Sequence, residues 1–279
     1  ACHAAQEYTY NLRETSISPY EYINGDIVYN IDYKNSIKKI GEMGFSGSEF
    51  DPSHGGTQAP FHIASLTRLP FAASNIGLCG VHLTNTLSTI RFIQHYPNIQ
   101  NKDPLITDMV SGKSHGIVCL AERHSNSSIT DVRCRADFYV KDRSYRVRGT
   151  KTCIYGGAHQ LGTNIFYIVS ARVPNSPDGS DGLTLFLIPK YLRPKLTLEE
   201  AYAQGKFLTS SLEPNDITIK QVYKIGDSAC TYVDIEFGVE TQLGALAYLI
   251  GKENEGMKGI RYFLHYNNLQ IGWNAISCS

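Results

Sequence analysis

Apolar positions along the chain change their period twice. From Tyr29 to Met43 they fall at 33, 37, 40 and 43, a helical spacing that stops at Gly44. Phe50 to Gly56 is a cluster of helix breakers and reads as a loop. Helices are predicted over Gln58 to Ala73 and Asn75 to His95, and Asp103-Pro104 opens a short one through Met109. After Gly112 the pattern changes to short runs rich in Val, Ile, Tyr and Phe, bounded by turn residues: His115 to Glu122, Asp131 to Val140, Ser144 to Gly149, Ile165 to Arg172 and Leu183 to Pro189. Strands at this spacing predict a small antiparallel barrel or sandwich rather than βαβ units. Leu192 to Leu212 is mixed, with a helical piece around Glu199 to Gln204. Strand runs return at Ile217 to Ile225, Cys230 to Phe237 and Ala245 to Ile250. From Met257 a last helix places Ile260, Phe263, Leu264, Ile271 and Ala275 on one face, with Asn267 as a polar residue in that stripe. Residues 1–28 have no period and are expected to be irregular.

The order is helices, β-module, helix, which predicts an α+β fold. The expected divisions are an N-terminal all-helical domain at 1–112, a central antiparallel β-barrel or sandwich domain at 113–255, and the start of a C-terminal helical domain at 256–279. Length and a 42% hydrophobic composition allow a sizeable core. Formal net charge is zero, which removes the electrostatic reason to expect nucleic acid. No apolar run is long enough to span a bilayer, and no secretory signal is recognised at the N-terminus. The seven cysteines form no Cys-x-x-Cys pair, and the nine histidines no His-x-x-x-His pair. A metal site is therefore not expected, and a reducing, cytoplasmic setting is. Cys119 and Cys153 are expected to be buried rather than reactive, and Lys151 to pair within the sheet.

Two segments of the β-module carry the most specific pattern. The first is Leu120-Ala121-Glu122-Arg123-His124-Ser125-Asn126-Ser127-Ser128, and the second is Gly149-Thr150-Lys151-Thr152-Cys153-Ile154-Tyr155-Gly156-Gly157. With Ala171-Arg172, Gly182 to Lys190 and Leu249 to Met257, their order and spacing resemble the acyl-CoA dehydrogenase family. The phrase Gly149 to His159 is most similar to the branch that oxidises methylmercaptopropionyl-CoA and related thioesters. The likeness runs from about Met43 to the end of the chain.

The resemblance implies an FAD site along the β-module, an acyl-CoA thioester as substrate, an electron-transfer acceptor for the reduced flavin, and a homo-oligomer when full length. The reaction implied is α,β-dehydrogenation, in which a glutamate takes the α-proton and the flavin takes the hydride. Carried over by position, Leu120, Ala121, Ser127, Cys153 and Tyr155 are the cofactor contacts. Ser127, Asn267 and Gln270 are the substrate contacts. The chain departs from the family pattern at Ala121, Arg123, Asn126, Ser128, Cys153 and Gln270. No catalytic base is found: the helix from Met257 has no acid, Glu122 belongs to the strand-end motif, and the family's C-terminal helical bundle is represented only by its first helix. The leading expectation is a partial or diverged acyl-CoA dehydrogenase-type flavoprotein. The alternative is a catalytically inactive paralogue that keeps the fold for protein–protein assembly.

Overall fold

The computed structural model describes residues 20–23, 26–29, 31–99, 102–192, 213–223, 231–241 and 243–278. The helical piece expected around Glu199 to Gln204 lies outside them. So do most of Leu192 to Leu212 and the ends of two strand runs.

A hairpin opens the described chain, β1 (Tyr20–Ile23) against β2 (Asp26–Tyr29), where no period had suggested structure. The alternation is too short to register as a period, and pairing supplies the order. Helix α1 (Ile31–Glu42) follows and buries Tyr33, Ile37 and Ile40 as its spacing predicts. The breaker cluster is a loop containing one 3-10 turn, Pro52–His54, capped by Asp51. Helix α2 is Phe61–Ser74. Helix α3 is continuous but not uniform: an α-helical turn at Ile76–Leu78, a π-helical segment at Cys79–Thr86 and an α-helix at Leu87–His95. Helix α4 is Lys102–Val110.

The β-module is one eight-stranded sheet. Its strands are β3 (Ser114–Cys119), β4 (Arg135–Tyr139), β5 (Ser144–Tyr155), β6 (Asn164–Ala171), β7 (Thr184–Pro189), β10 (Ile217–Tyr223), β11 (Tyr232–Phe237) and β12 (Ala245–Ile250). Two short strands, β8 (Tyr191–Leu192) and β9 (Glu213–Pro214), pair separately. The order is β10-β11-β5-β12-β7-β6-β3, with β4 also on β5. All pairs are antiparallel except β3 with β6, so the sheet is mixed rather than purely antiparallel. The chain between them, through β4 and β5, crosses over and returns to lay β6 beside β3 in the parallel sense. A bridge between Arg135 and Arg172 ties β4 to the end of β6 and curls the sheet into a half-barrel.

Strand β5 is longer than its expected end at Gly149 and is the centre of the sheet. Its first half lies between β4 and β12, and its second half pairs with β11. The expected strand Asp131 to Val140 begins only at Arg135. The amides of Arg133 and Cys134 are bound to the Glu122 carboxylate instead of to a neighbouring strand.

Helix α5 (Gly256–Cys278) lies against α2 and α3. Its buried side is not the expected stripe. Ile260 and Phe263 are buried, but Ile271 is 51% exposed and Ala275 is exposed. Gln270 and the half-buried Asn267 and Asn274 face α2 and α3, because hydrogen-bonding partners there hold them (below). One cluster of buried apolar side chains runs from α1 to α4 through the sheet to α5. No helix among the described residues is long and apolar enough to cross a membrane.

Candidate functional site

The two motif segments meet at the end of β3 and the second half of β5. Beyond Cys119 the chain leaves the ladder, and the N–H of Thr152 donates to the carbonyl of Ala121 at 2.9 Å. Beneath this contact Lys151 is 0% exposed. Its ammonium donates to Glu122 Oε1 at 2.7 Å, to Ser170 Oγ at 3.0 Å and to the Leu120 carbonyl at 3.2 Å. Glu122 also accepts the N–H groups of Arg133 and Cys134. Burial works against its ionisation, but Lys151 and these donors hold the carboxyl below its ordinary range. A lysine with three partners and a carboxylate with three donors form a satisfied buried pair, and Glu122 has no role open to it as a free base.

Cys153 departs from ordinary strand geometry. Its φ is +53°, in the left-handed region that side chains other than glycine's disfavour. The register shows why. Val233 pairs with Ile154 and Ile235 with Lys151, so Thr152 and Cys153 together oppose the single residue Asp234. This is a β-bulge, which re-aims a side chain. The Cys153 side chain turns outward and is exposed, contrary to the expected burial, while Cys79, Cys119 and Cys134 are buried. Burial pushes the Cys134 thiol up to about 12 and the Cys119 thiol further, so neither is a ready nucleophile.

The Asp234 carboxylate is the partner of the bulge. It accepts the Cys153 N–H at 3.0 Å, the Thr152 hydroxyl, Arg123 Nη2 at 2.7 Å and the Tyr223 hydroxyl at 3.0 Å. Burial raises its pKa, and these four donors outweigh it and hold the group ionised. Arg123 is 71% exposed and also donates to the Tyr223 hydroxyl at 2.7 Å. Sequence reasoning noted Arg123 only as a departure from the family pattern and did not single out Asp234. The signal that could have found Asp234 is a carboxylate in the middle of an apolar strand run.

Among the expected cofactor contacts, Leu120, Ala121 and Cys153 come together on one shelf. Leu120 and Ala121 are half-buried. Ser127 is exposed on the turn beyond the 3-10 segment Arg123–Ser125. Tyr155 points elsewhere: its ring packs on Tyr232 at 5.1 Å between centroids and against Gly80, and its hydroxyl faces the Gly77 carbonyl at 3.5 Å. Asn85 donates to its carbonyl. Ala121 is half-buried and Cys153 exposed, so two small side chains flank the Thr152–Ala121 bond.

The two helix residues sit in a polar seam between α5 and the helices beneath it. Asn267 Oδ1 accepts from Ser88 Oγ at 3.2 Å, and Asn274 donates to Thr84 Oγ1 at 2.7 Å. Gln270, 2% exposed, donates to the Tyr266 hydroxyl at 2.8 Å, and Tyr266 donates to the buried Glu49. Arg68 and Arg91 pair with the same carboxylate.

Comparison with known proteins adds the following. No family model matches the chain. Over 237 residues, 84% of this chain and 37% of the relative, it is 30% identical to 3-methylmercaptopropionyl-CoA dehydrogenase of Ruegeria pomeroyi. It is 23% identical over 252 residues to butyryl-CoA dehydrogenase of Syntrophomonas wolfei, covering 88% of this chain and 39% of that one. Among solved structures, butyryl-CoA dehydrogenase of Megasphaera elsdenii superimposes with a TM-score of 0.69 at 16% identity, over 99% of this chain and 65% of that one. The chain thus spans less than two fifths of the curated relatives it matches.

Proposed function

We propose that this chain, a member of the acyl-CoA dehydrogenase family, forms the flavin-facing part of an FAD-dependent oxidoreductase that introduces an α,β double bond into an acyl-CoA thioester. The observation that carries this reading is the junction of the two motif segments, where Thr152 binds Ala121 and the bulge leaves Leu120, Ala121 and Cys153 as an open shelf. When bound, FAD would supply the hydride acceptor for the reaction. Leu120, Ala121 and Cys153 would hold the edge of its ring, and the exposed Ser127 hydroxyl would meet its pyrophosphate side or the substrate.

On the substrate side, Asn267 is the better placed of the two helix residues, since Gln270 is buried with its amide on Tyr266. No side chain of the shelf is a free base, because Glu122 is bound by Lys151 and two amides. Proton removal is therefore not assigned to the described residues. An electron-transfer acceptor and a homo-oligomer belong to the same reading. The free cysteines fit a reducing, cytoplasmic setting.

A second reading, a paralogue without the chemistry, is favoured by one observation. Tyr155, carried over as a cofactor contact, packs toward α3 rather than onto the shelf. Titration with FAD followed by gel filtration and visible absorption separates the two. A retained flavin band that bleaches with acyl-CoA thioesters supports the first reading. A folded protein that retains no flavin overturns it.

A further inference from the structure

We propose that Asp234 is a positioning residue that fixes the bulge in β5 and thereby sets the shape of the flavin-facing shelf. The proposal rests on the function argued above for that shelf. Two strands and the β3 exit converge on this one carboxylate. From β5 it takes the hydroxyl of Thr152 and the N–H of Cys153, from β10 the hydroxyl of Tyr223, and from the segment after β3 the guanidinium of Arg123. Asp234 itself lies on β11 and is 4% exposed.

The geometry gives it a specific task. In a bulge the extra residue has no ladder partner, and its N–H must find another acceptor or remain unsatisfied. For Cys153 that acceptor is Oδ1 of Asp234. The left-handed backbone of Cys153 is unfavourable for a residue with a Cβ and persists where surrounding bonds over-determine it. Because side chains alternate along a strand, relaxing the bulge by one residue would turn Cys153 from the open face toward the interior and change what the shelf presents. Arg123 extends the same control across the junction. Its bond to Oδ2 ties the exit of β3 to the bulge, so one carboxylate sets the separation of the two motif segments. A carboxylate placed only for stability would not need to sit opposite the extra residue and bond its amide.

The test compares the full chain with Asp234→Ala and Asp234→Asn, first without flavin and then with FAD. Residue-resolved hydrogen exchange reads the bulge. In Asp234→Ala the Cys153 amide should exchange about tenfold faster or more, the loss expected for a hydrogen bond to a charged acceptor. The amides of Arg146 and Val147, in the first half of β5 between β4 and β12, should change little. Asp234→Asn, which keeps an acceptor oxygen, should recover part of the protection, and it carries the comparison if the alanine variant fails to fold. Unchanged exchange at Cys153 overturns the proposal. With FAD, both variants should bind about tenfold more weakly or worse and show a shifted flavin absorption maximum, which a remote stability defect would not produce. Normal binding and an unshifted spectrum overturn the role at the shelf. If the wild type retains no flavin, the functional reading fails and that role falls with it, while the exchange data still decide whether Asp234 holds the bulge.

Discussion

Lys151 is the residue whose loss should be felt most. It has no exposed surface, and removing its charge would leave Glu122 buried without a counter-ion. Lys151→Met should cost about 3–5 kcal/mol in denaturant unfolding at neutral pH. The double change with Glu122→Gln should cost clearly less, because it removes the stranded charge. The pH dependence has a definite sign. The folded carboxyl of Glu122 lies below its ordinary 4.5, so as pH falls the unfolded chain takes up the proton first. Its contribution is full above the unfolded value and is lost as pH falls through the folded one. Lys151→Met should reverse this and narrow the stability gap to wild type on acidification, which unfolding curves at pH 7 and pH 5 would record. The sequence places Glu122 and Lys151 in separate motif segments and predicts only that Lys151 pairs within the sheet. It says nothing of Leu120 and Ser170, which complete the cage only in three dimensions.

At the scale of elements, α3 shows how tightly helix and sheet are joined. A Cβ on Gly80 would lie 2.7 Å from the Tyr155 ring and hydroxyl, whereas one on Gly272 of α5 would meet nothing within 4 Å. Gly80→Ala should therefore destabilise by about 1–3 kcal/mol through overpacking. Gly272→Ala should stabilise by up to about 1 kcal/mol through helix propensity. Thermal melts of the two variants would test the pair, with Tyr155→Ser expected to relieve the first.

The join of α3 with β3 also buries His82 and His115, ring centroids 5.3 Å apart, with His159 4.7 Å beyond His115. Burial, reinforced by Arg68, pushes the His82 imidazole down to about 4. Burial and the two neighbouring histidines push His115 well below its ordinary value. The unfolded chain binds these protons near 6.5, before the folded one does, so stability is full above that value and declines below it. The slope is about 1.4 kcal/mol per pH unit for each histidine. His115→Phe should flatten the decline between pH 6.5 and 4 in urea unfolding. Helix positions were legible from apolar spacing. The π-helical segment and the buried histidines were not, because both depend on which face of α3 meets the sheet.

Across the whole molecule, a single core cluster joins the helices to the sheet. Trp273, the chain's one tryptophan, lies half-buried on α5. Far-UV circular dichroism and tryptophan fluorescence should therefore report coincident unfolding curves, and separated midpoints would mean that α5 leaves the core independently. The sequence by itself determined the class of fold, the order of most elements and the two segments that build the shelf. Those properties follow from hydrophobic period and from motifs contiguous along the chain. Tertiary structure decided the parallel pairing of β3 with β6, the outward turn of Cys153, the placement of Asp234 and Arg123 beside it, and the rotation of α5 that buries Gln270 and exposes Ile271. Each of these depends on a partner far away in sequence. A bulge exists only relative to the strand opposite it, and a buried polar side chain is tolerated only where a distant donor or acceptor awaits it.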